Sequence, residues 1–343
     1  SKASLDAKVK EAGFDTWTQL FAVEALPHLS GNRPGMAAWV PDGTTVSDQV
    51  FTIKRNPYFV GIDPQGNQLP YIDEIRFTFY ADREALNLAA VAGEIDFQGR
   101  HISMSTYPVL KENENKANYR VVTWPTFGGS DAVVMLNQTW TGPEGEYFRN
   151  KDFRIALSHA IDREAIKELA FYGLGESRQG VPAPFHPYYP GDEYAFRYTE
   201  LDMDKANSLL DGILPNKDSD GFRLMSNGNI LDIEIGIVPQ FGNWPDIGQL
   251  IVENWAEVGV KAHIEIRERT QHFNMRPANE LMSEIWNEDT TGFPFSGQPK
   301  FDPRSDPALT FAPLIAKWYA SGGKEGQAPP AEIKRLVDII DEA

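Results

Sequence analysis

The residues from Asp131 to Ile166 restrict the possible fold more than any other stretch of this chain. They begin with a short apolar run, Ala132 to Leu136, which predicts a buried strand. After a polar loop, apolar residues recur at helical spacing through two consecutive segments, which meet at Asp162. A carboxylate there can accept the free N–H groups of a new helical turn, so Asp162 is predicted to cap the second helix. The stretch by itself is a strand–loop–helix unit, and the strand–helix–strand order predicted over 71–97 indicates α/β packing.

Further along the chain, the same alternation of strands and helices recurs. Ile230 to Val238 alternates apolar and polar residues, which predicts a strand. Trp244 to Val258 carries an apolar face at helical spacing, and Val260 to Ile266 predicts the next strand. Additional predictions are helical structure over 1–30, strands over 71–80, 95–97 and 119–124, a helix from Asp82, a helix over 267–283 interrupted at Pro277, and a terminal helix over 330–342.

Composition excludes several classes of protein. The chain has 343 residues, enough for two domains. Its 49 acidic residues exceed its 32 basic ones, giving a net charge of −17, which argues against nucleic acid and anionic membrane surfaces as partners. The longest apolar runs fall far short of the ~20 residues that span a bilayer. There is no cysteine, which removes disulfides, thiol catalysis and thiolate metal sites.

Motifs for catalysis and metal binding are missing from the sequence. There is no nucleophile elbow, phosphate-binding loop or dinucleotide fingerprint, and the six histidines lack metal-ligand spacing. Asp218 to Gly221 faintly resembles a calcium loop, but its glycine is fourth rather than sixth, so a side-chain-capped turn is favoured. Glu288 and Asp289 could be imagined as the carboxylate pair of a glycosidase, although neighbours on one loop usually point apart. We therefore expect no enzyme activity, no metal and no cofactor.

Binding is the functional signal that remains. The chain has 8 Trp, 12 Tyr and 20 Phe, and several of them lie in predicted loops beside polar residues. This pattern suits a pocket that stacks on a ligand and orients it with a few hydrogen bonds. For any single aromatic residue, sealing its loop against the core is an equally good explanation. The predicted ligand-binding residues are Trp286, Asp289, Glu288, Asn287, Trp124, Phe127, Asn137, Phe185, His186 and His101.

Several motifs, in a fixed order, resemble the family 5 extracellular solute-binding proteins, the receptors of peptide-type ABC importers. They are FRNKDFRIALSHAIDREAI at 148–166, RNPYF at 55–59 followed by GNQLPYIDEI at 66–75, Asp82 with AGEID at 92–96, and WYASGGKEGQAPPAEIKRLVDIIDE at 318–342. The resemblance implies an α/β, bilobal fold of the periplasmic-binding-protein type II, with mixed sheets flanked by helices. It also implies a fragment: residues 1–130 would be the remainder of lobe one, and residues 131–343 an incomplete lobe two.

The resemblance further implies a role and a location. The protein would capture an oligopeptide-like solute in a cleft between its lobes, close around it and deliver it to an ABC permease. Family members that bind peptides have Trp-x-x-Asp in the loop that matches Trp286 to Asp289, and its Asp binds the ligand's α-amino group. Cello- or xylo-type oligosaccharides remain an alternative ligand, and a secreted glycoside hydrolase an alternative class. We expect a periplasmic or extracellular monomer, anchored by a lipid in a Gram-positive organism, with hinges at 128–130 and around Asn137.

Overall fold

The structure is a computed structural model that describes residues 2–26, 28–31, 34–102, 104–125, 129–288, 302–304 and 311–342. It divides into two compact units, Ser1–Leu86 and Asn87–Ala343. The lobe boundary predicted near Ser130 does not coincide with the boundary between these units, and it stays a prediction.

The first unit contains two helices and a small antiparallel sheet. Its elements are α1 (Lys2–Glu11), α2 (Trp17–Glu24), β1 (Trp39–Pro41), β2 (Val50–Arg55) and β3 (Glu74–Thr78), and α3 (Arg83–Ala92) begins at its end. The strands pair in the order β1-β2-β3. Phe51 lies opposite Phe77, and the two rings stack with centroids 5.8 Å apart. The predicted helical region over 1–30 is two helices, because Gly13 adopts a left-handed φ of 76° between them.

The second unit contains the end of α3, a short 3-10 turn at Met104–Thr106 and the larger sheet. Its helices are α4 (Tyr107–Ala117), α5 (Gly145–Arg149), α6 (Lys151–His159), α7 (Arg163–Phe171), α8 (Asp192–Ala195), α9 (Met203–Ile213), α10 (Trp244–Glu257), α11 (Arg269–Met275), α12 (Pro313–Ala320) and α13 (Ala331–Glu342). Its strands are β4 (Ser130–Leu136), β5 (Asp232–Ile237), β6 (Lys261–Ile266) and β7 (Ser283–Glu288).

The strand order of the larger sheet is β4-β7-β5-β6. Strand β5 runs parallel to β6 and β7, whereas β4 runs antiparallel to β7 with Ser130 opposite Glu288. The pairing of β4 shifts register between Ser130 and Val133, which marks a bulge at this end. The carboxyl ends of the three parallel strands therefore meet the beginning of β4 at one edge of the sheet.

A core of apolar side chains lies between this sheet and its helices. Phe148, Phe153, Ile233 and Ile235 have no exposed surface, and Trp255 of α10 has almost none. The Trp255 indole also donates to the Leu157 carbonyl oxygen over 3.1 Å, which ties α10 to α6. Each such side chain contributes roughly 1.5–3 kcal/mol on burial. The second unit is thus a rigid base for the residues at its edge.

Local sequence signals explain the tandem helices. The Asn150 side chain accepts the N–H groups of Asp152 and Phe153 at the start of α6. The Asp162 side chain accepts the N–H of Ala165 at the start of α7, so the predicted cap is confirmed.

Two predicted strands are wrong. Residues 95–97 and 119–124 belong to no strand in the described part of the chain. Side-chain bonds hold the second segment against α4 instead: the Tyr119 hydroxyl donates to the Leu110 carbonyl, and the Val121 N–H donates to the Glu114 carboxylate. Alternation of apolar residues alone cannot supply a neighbouring strand.

Candidate functional site

The edge where β5, β6 and β7 end is the candidate functional site. In open α/β sheets, ligands bind outside the carboxyl ends of the parallel strands, because the connecting loops there converge. Here three chain segments converge: the loop between β5 and α10, the link from β6 into α11, and the last residues of β7. The beginning of β4 lies at the same edge, since Ser130 is opposite Glu288.

An aromatic cluster, formed by Phe241, Trp244, Phe273 and Trp286, occupies this edge. The Trp286 ring centre lies 5.0 Å from that of Trp244, 5.1 Å from that of Phe241 and 5.4 Å from that of Phe273. Trp244 is buried, and its indole donates to the Asp131 carbonyl oxygen over 2.8 Å. The other three rings are half-buried. The cluster therefore presents aromatic surface to solvent from a fixed base.

Two arginines lie over these rings. The Arg276 guanidinium carbon is 4.1 Å from the Trp286 ring centre and 4.5 Å from that of Phe273. The Arg269 guanidinium carbon is 5.0 Å from the Phe241 ring centre and 5.5 Å from that of Phe273. Both lie within the range in which the negative face of an aromatic ring attracts a cation.

A buried carboxylate holds Arg276 in place. Glu284 of β7 is only 1% exposed, and its Oε2 accepts from Arg276 Nη2 over 2.6 Å and from Arg276 Nε over 3.0 Å. His272 Nε2 lies 2.6 Å from the same oxygen. A buried charge is tolerated when it is paired and hydrogen-bonded in this way. Glu284 is thereby committed to the protein's own side chains.

A second ion pair lies beside the first. Arg267 Nη2 donates to the Glu234 carboxylate over 2.6 Å. Gly236 of β5 makes the close packing possible, because a Cβ there would lie 3.0 Å from Arg267 Nη1 and 3.1 Å from His272 Cε1. A larger residue at 236 would force these side chains apart.

Several of the predicted ligand-binding residues lie at or near the aromatic cluster. Trp286 is at its centre. His101 reaches its margin, with its ring centre 6.2 Å from that of Phe241 and its Nδ1 3.4 Å from the Gln240 carbonyl oxygen. Asn287 follows Trp286 in β7 and is half-buried. Asp289, Phe127 and the side chain of Glu288 lie outside the described residues.

A separate cavity of about 950 Å³ contains two other predicted residues. Trp124 and Phe185, both exposed for more than half of their surface, line it. Its wall also includes β4, residues of α6, α7 and α10, and the segment from Leu174 to Gly180. Trp286 is not among the described residues that line this cavity, so the predicted residues fall into two groups.

Asn137 and His186 are buried and bonded within the protein. The Asn137 amide donates to Asn279 Oδ1 over 2.8 Å and to the Leu281 carbonyl over 2.9 Å, and its oxygen accepts from Thr139. His186 Nδ1 accepts the Tyr188 N–H over 3.1 Å. Both side chains have structural partners in this conformation, so their contact with a ligand stays a prediction.

Sequence reasoning did not identify Phe241, Arg269, Phe273, Arg276 or Glu284. Their position in the chain could have identified two of them, because Phe241 and Arg269 closely follow the segments predicted as strands that correspond to β5 and β6. Parallel strands would have placed those loops at one edge. Arg276 and Glu284 gave no comparable signal, because their pairing depends on tertiary structure.

Groups of side chains suited to a metal ion are absent from the part of the chain that the structure describes. The Asp218 loop is a side-chain-capped turn, because Asp218 Oδ1 accepts the N–H groups of Asp220 and Phe222, each over 2.9 Å. These hydrogen bonds are those of the capped turn favoured from the sequence.

Residues 34–306 match the family described as bacterial extracellular solute-binding proteins, family 5 Middle. The chain belongs to this family. The family resemblance and the mixed α/β fold expected from the sequence are confirmed. Within the described ranges, none of the helices of this family 5 chain combines the length and the apolar character needed to cross a membrane.

Three relatives illustrate the similarity. The periplasmic alpha-galactoside-binding protein of Rhizobium meliloti strain 1021 is 30% identical over 226 residues, which are 60% of this chain and 31% of that protein. The structure of an oligopeptide-binding protein OppA is 32% identical, with a TM-score of 0.64 over 96% of this chain and 54% of that chain. The structure of the periplasmic binding protein MelB of Agrobacterium fabrum C58 in complex with stachyose is 21% identical, with a TM-score of 0.68 over 100% of this chain and 51% of that one. The chain thus spans about half, or less, of the length of these relatives, which are binding proteins by name.

Proposed function

We propose that this family 5 chain is part of the substrate-binding component of an ABC importer and that its ligand is a neutral oligosaccharide. The protein would bind the sugar in the periplasm or outside the cell and deliver it to the permease. The same proposal includes three further expectations. The protein acts as a monomer, it does not bind nucleic acid, and in a Gram-positive organism it carries a lipid anchor. Closure of the protein around the ligand would require tighter binding to the closed state than to the open state.

The aromatic cluster is the observation that carries the proposal. Sugar rings stack on indole and phenyl faces, and half-buried rings at a ligand-binding edge provide such faces. Two arginines at the cluster are already paired, Arg276 with Glu284 and Arg267 with Glu234. A third, Arg269, is exposed and lies over the Phe241 ring. A neutral ligand needs none of these charges, whereas a ligand that used Arg276 or Arg267 would have to compete with their carboxylates. The alpha-galactoside-binding relative and the stachyose complex support the same ligand class.

Calorimetric titration of the full-length protein tests this proposal. Stachyose, cello-, xylo- and manno-oligosaccharides and di- to pentapeptides would be titrated in parallel. We expect heat of binding with at least one sugar and a rise in melting temperature with the same sugar, because a ligand that binds the native state stabilises it. Binding of peptides alone would contradict the sugar assignment.

Substitution of Trp286 locates the site. Trp286→Ala removes the central ring of the cluster and should weaken sugar binding about 10- to 100-fold, as expected for loss of a stacking residue. Trp318→Ala is the matched control, since Trp318 lies on α12 and contacts Tyr319 rather than the cluster. Equal affinities of the two variants would place the ligand elsewhere.

An oligopeptide is the second candidate ligand, and the Trp286-x-x-Asp289 spacing together with the OppA similarity favours it. A carboxylate at 289 would bind the α-amino group of any peptide through charge-assisted hydrogen bonds. Asp289→Asn should then abolish peptide binding while leaving sugar binding intact. Asp204→Asn, in the first turn of α9, is the control.

A secreted hydrolase would have to show turnover. Incubation of the full-length protein with the same oligosaccharides, followed by product analysis, distinguishes a receptor from an enzyme. Under the proposal the sugars are recovered uncleaved.

A further inference from the structure

Arg276 contacts the ring of Trp286 but is itself almost inaccessible. Only 4% of its surface is exposed, although its guanidinium carbon lies 4.1 Å from the Trp286 ring centre. His272 is also buried and stacks near the same ring, with centroids 6.2 Å apart and planes 15° from parallel. A ligand at this edge would therefore meet Trp286 rather than Arg276.

Three contacts fix the plane of the Arg276 guanidinium. Glu284 Oε2 accepts from both Nε and Nη2, and these two bonds define the orientation of the planar group. The Phe273 ring, 4.5 Å from the guanidinium carbon, provides the third contact. A guanidinium held in one orientation attracts the face of an aromatic ring, and it can therefore restrict the orientation of that ring.

The turn that carries Arg276 is itself anchored. The Asn279 N–H donates to the Arg276 carbonyl, and Asn279 has a left-handed φ of 59°. Its side chain accepts from Asn137 over 2.8 Å and from Thr139 over 3.2 Å. Asn137, predicted as a ligand contact, is thus connected to Trp286 through Asn279 and Arg276. The whole connection is built from buried or half-buried groups.

We propose that Arg276, held by Glu284, is a positioning residue that sets the orientation of the Trp286 ring for ligand stacking. This inference rests on the proposed function, because it takes Trp286 as the stacking residue. Arg276 acts through Trp286 and does not bind the ligand itself. A ring free to change rotamer would lose part of its binding energy in becoming ordered, so an ordered ring binds more tightly.

Nuclear magnetic resonance of the Trp286 indole N–H tests the positioning without any ligand. Full-length protein would carry Arg276→Met, Arg276→Lys or Glu284→Gln, and the relaxation of the indole nitrogen would be measured in each variant that retains a folded spectrum. We expect a more mobile Trp286 indole in Arg276→Met and an unchanged Trp318 indole. Lys keeps a charge for Glu284 but lacks the planar group, so Arg276→Lys should not restore the ordered ring. An equally ordered Trp286 in all three variants would overturn the proposal.

Stachyose affinity provides the second measurement. Arg276→Met should weaken stachyose binding about tenfold, because it removes the cation–π contact that orders the Trp286 ring. A purely structural role would lower the melting temperature and leave the affinity of the folded variant unchanged, which would also overturn the proposal. If Trp286→Ala itself binds stachyose as tightly as the parent, the proposed ligand site fails. If the Trp286 indole stays ordered in the Arg276 variants while Trp286→Ala no longer binds stachyose, the positioning role is rejected and the proposed ligand site is retained.

Discussion

The two compact units bury their apolar side chains to very different extents. Among the described residues of Ser1–Leu86, the buried apolar side chains are Val9, Phe51 and Pro70. In the same unit Tyr58 and Val60 are 88% and 90% exposed. The second unit, by contrast, encloses a continuous core around β5 and α10. Because burial of apolar surface is the main favourable contribution to folding, the second unit should supply most of the stability of this chain.

This contrast also explains where a precise site can be built. The aromatic cluster stands on strands whose inner side chains are fully buried, so its rings have a rigid base. Exposed side chains such as Tyr58 and Val60 have few neighbours to fix them. The second unit therefore offers the more rigid frame for the proposed site.

The largest effect that tests this contrast is expected in the core of the second unit. Phe153→Ala removes a ring with no exposed surface and should lower the free energy of unfolding by about 3–5 kcal/mol. Phe51→Ala is the matched change in the first unit, where the ring is 8% exposed and stacks on Phe77, which is 46% exposed. It should cost less, about 2 kcal/mol, because the exposed neighbouring side chain can move to close the cavity. Urea denaturation, followed by circular dichroism, measures both, and equal losses would contradict the contrast.

A buried arginine gives the next largest effect. The Arg223 side chain has no exposed surface and donates to the carbonyl oxygens of Val258 and Leu214 and to the Asp211 carboxylate. Arg223→Met leaves these acceptors without their donor and should cost about 3 kcal/mol. Arg197→Met is the control, because its bond to Glu193 lies at the surface and contributes under about 1 kcal/mol. A loss for Arg223→Met no greater than that of the control would mean that water replaces these bonds.

The smallest effect belongs to a turn in the first unit. The Tyr71 hydroxyl, 2.5 Å from Asp63, and the Asn67 amide lower the pKa of Asp63 to about 2. A lowered pKa in the folded state means that this contribution to stability is present above the unfolded pKa near 3.9 and is lost as the pH falls through about 2. Tyr71→Phe should raise the pKa of Asp63, which a carboxyl-carbon nuclear magnetic resonance titration measures. The control is Tyr58→Phe, and an unchanged pKa in Tyr71→Phe would exclude the hydroxyl as the cause.

Elements with a clear periodic pattern could be predicted from the sequence. Strand β5 and helix α10 occur where the apolar spacing placed them, and Asp162 caps α7 as its position suggested. The family resemblance extended this to the fold as a whole. Local patterns succeed here because they are set by neighbours in the chain.

The site could be predicted only in part. Trp286 and His101 were predicted as ligand-binding residues, and both rings lie close to Phe241. Arg276 and Glu284 were not, since a buried ion pair depends on the packing of α11 against β7 and leaves no periodic trace. The strands expected at 95–97 and 119–124 failed for a similar reason: a strand needs a partner, and the partner is a tertiary feature.

The closeness of Trp244 and Trp286 has a spectroscopic consequence. Their ring centres are 5.0 Å apart and their planes are inclined at 53°. At this separation the electronic transitions of the two indoles couple, and because the rings are skewed the coupling produces paired bands of opposite sign in circular dichroism. Any tilt of either ring on ligand binding alters the amplitude of that pair. The proposed binding edge therefore contains its own optical reporter, with no added label.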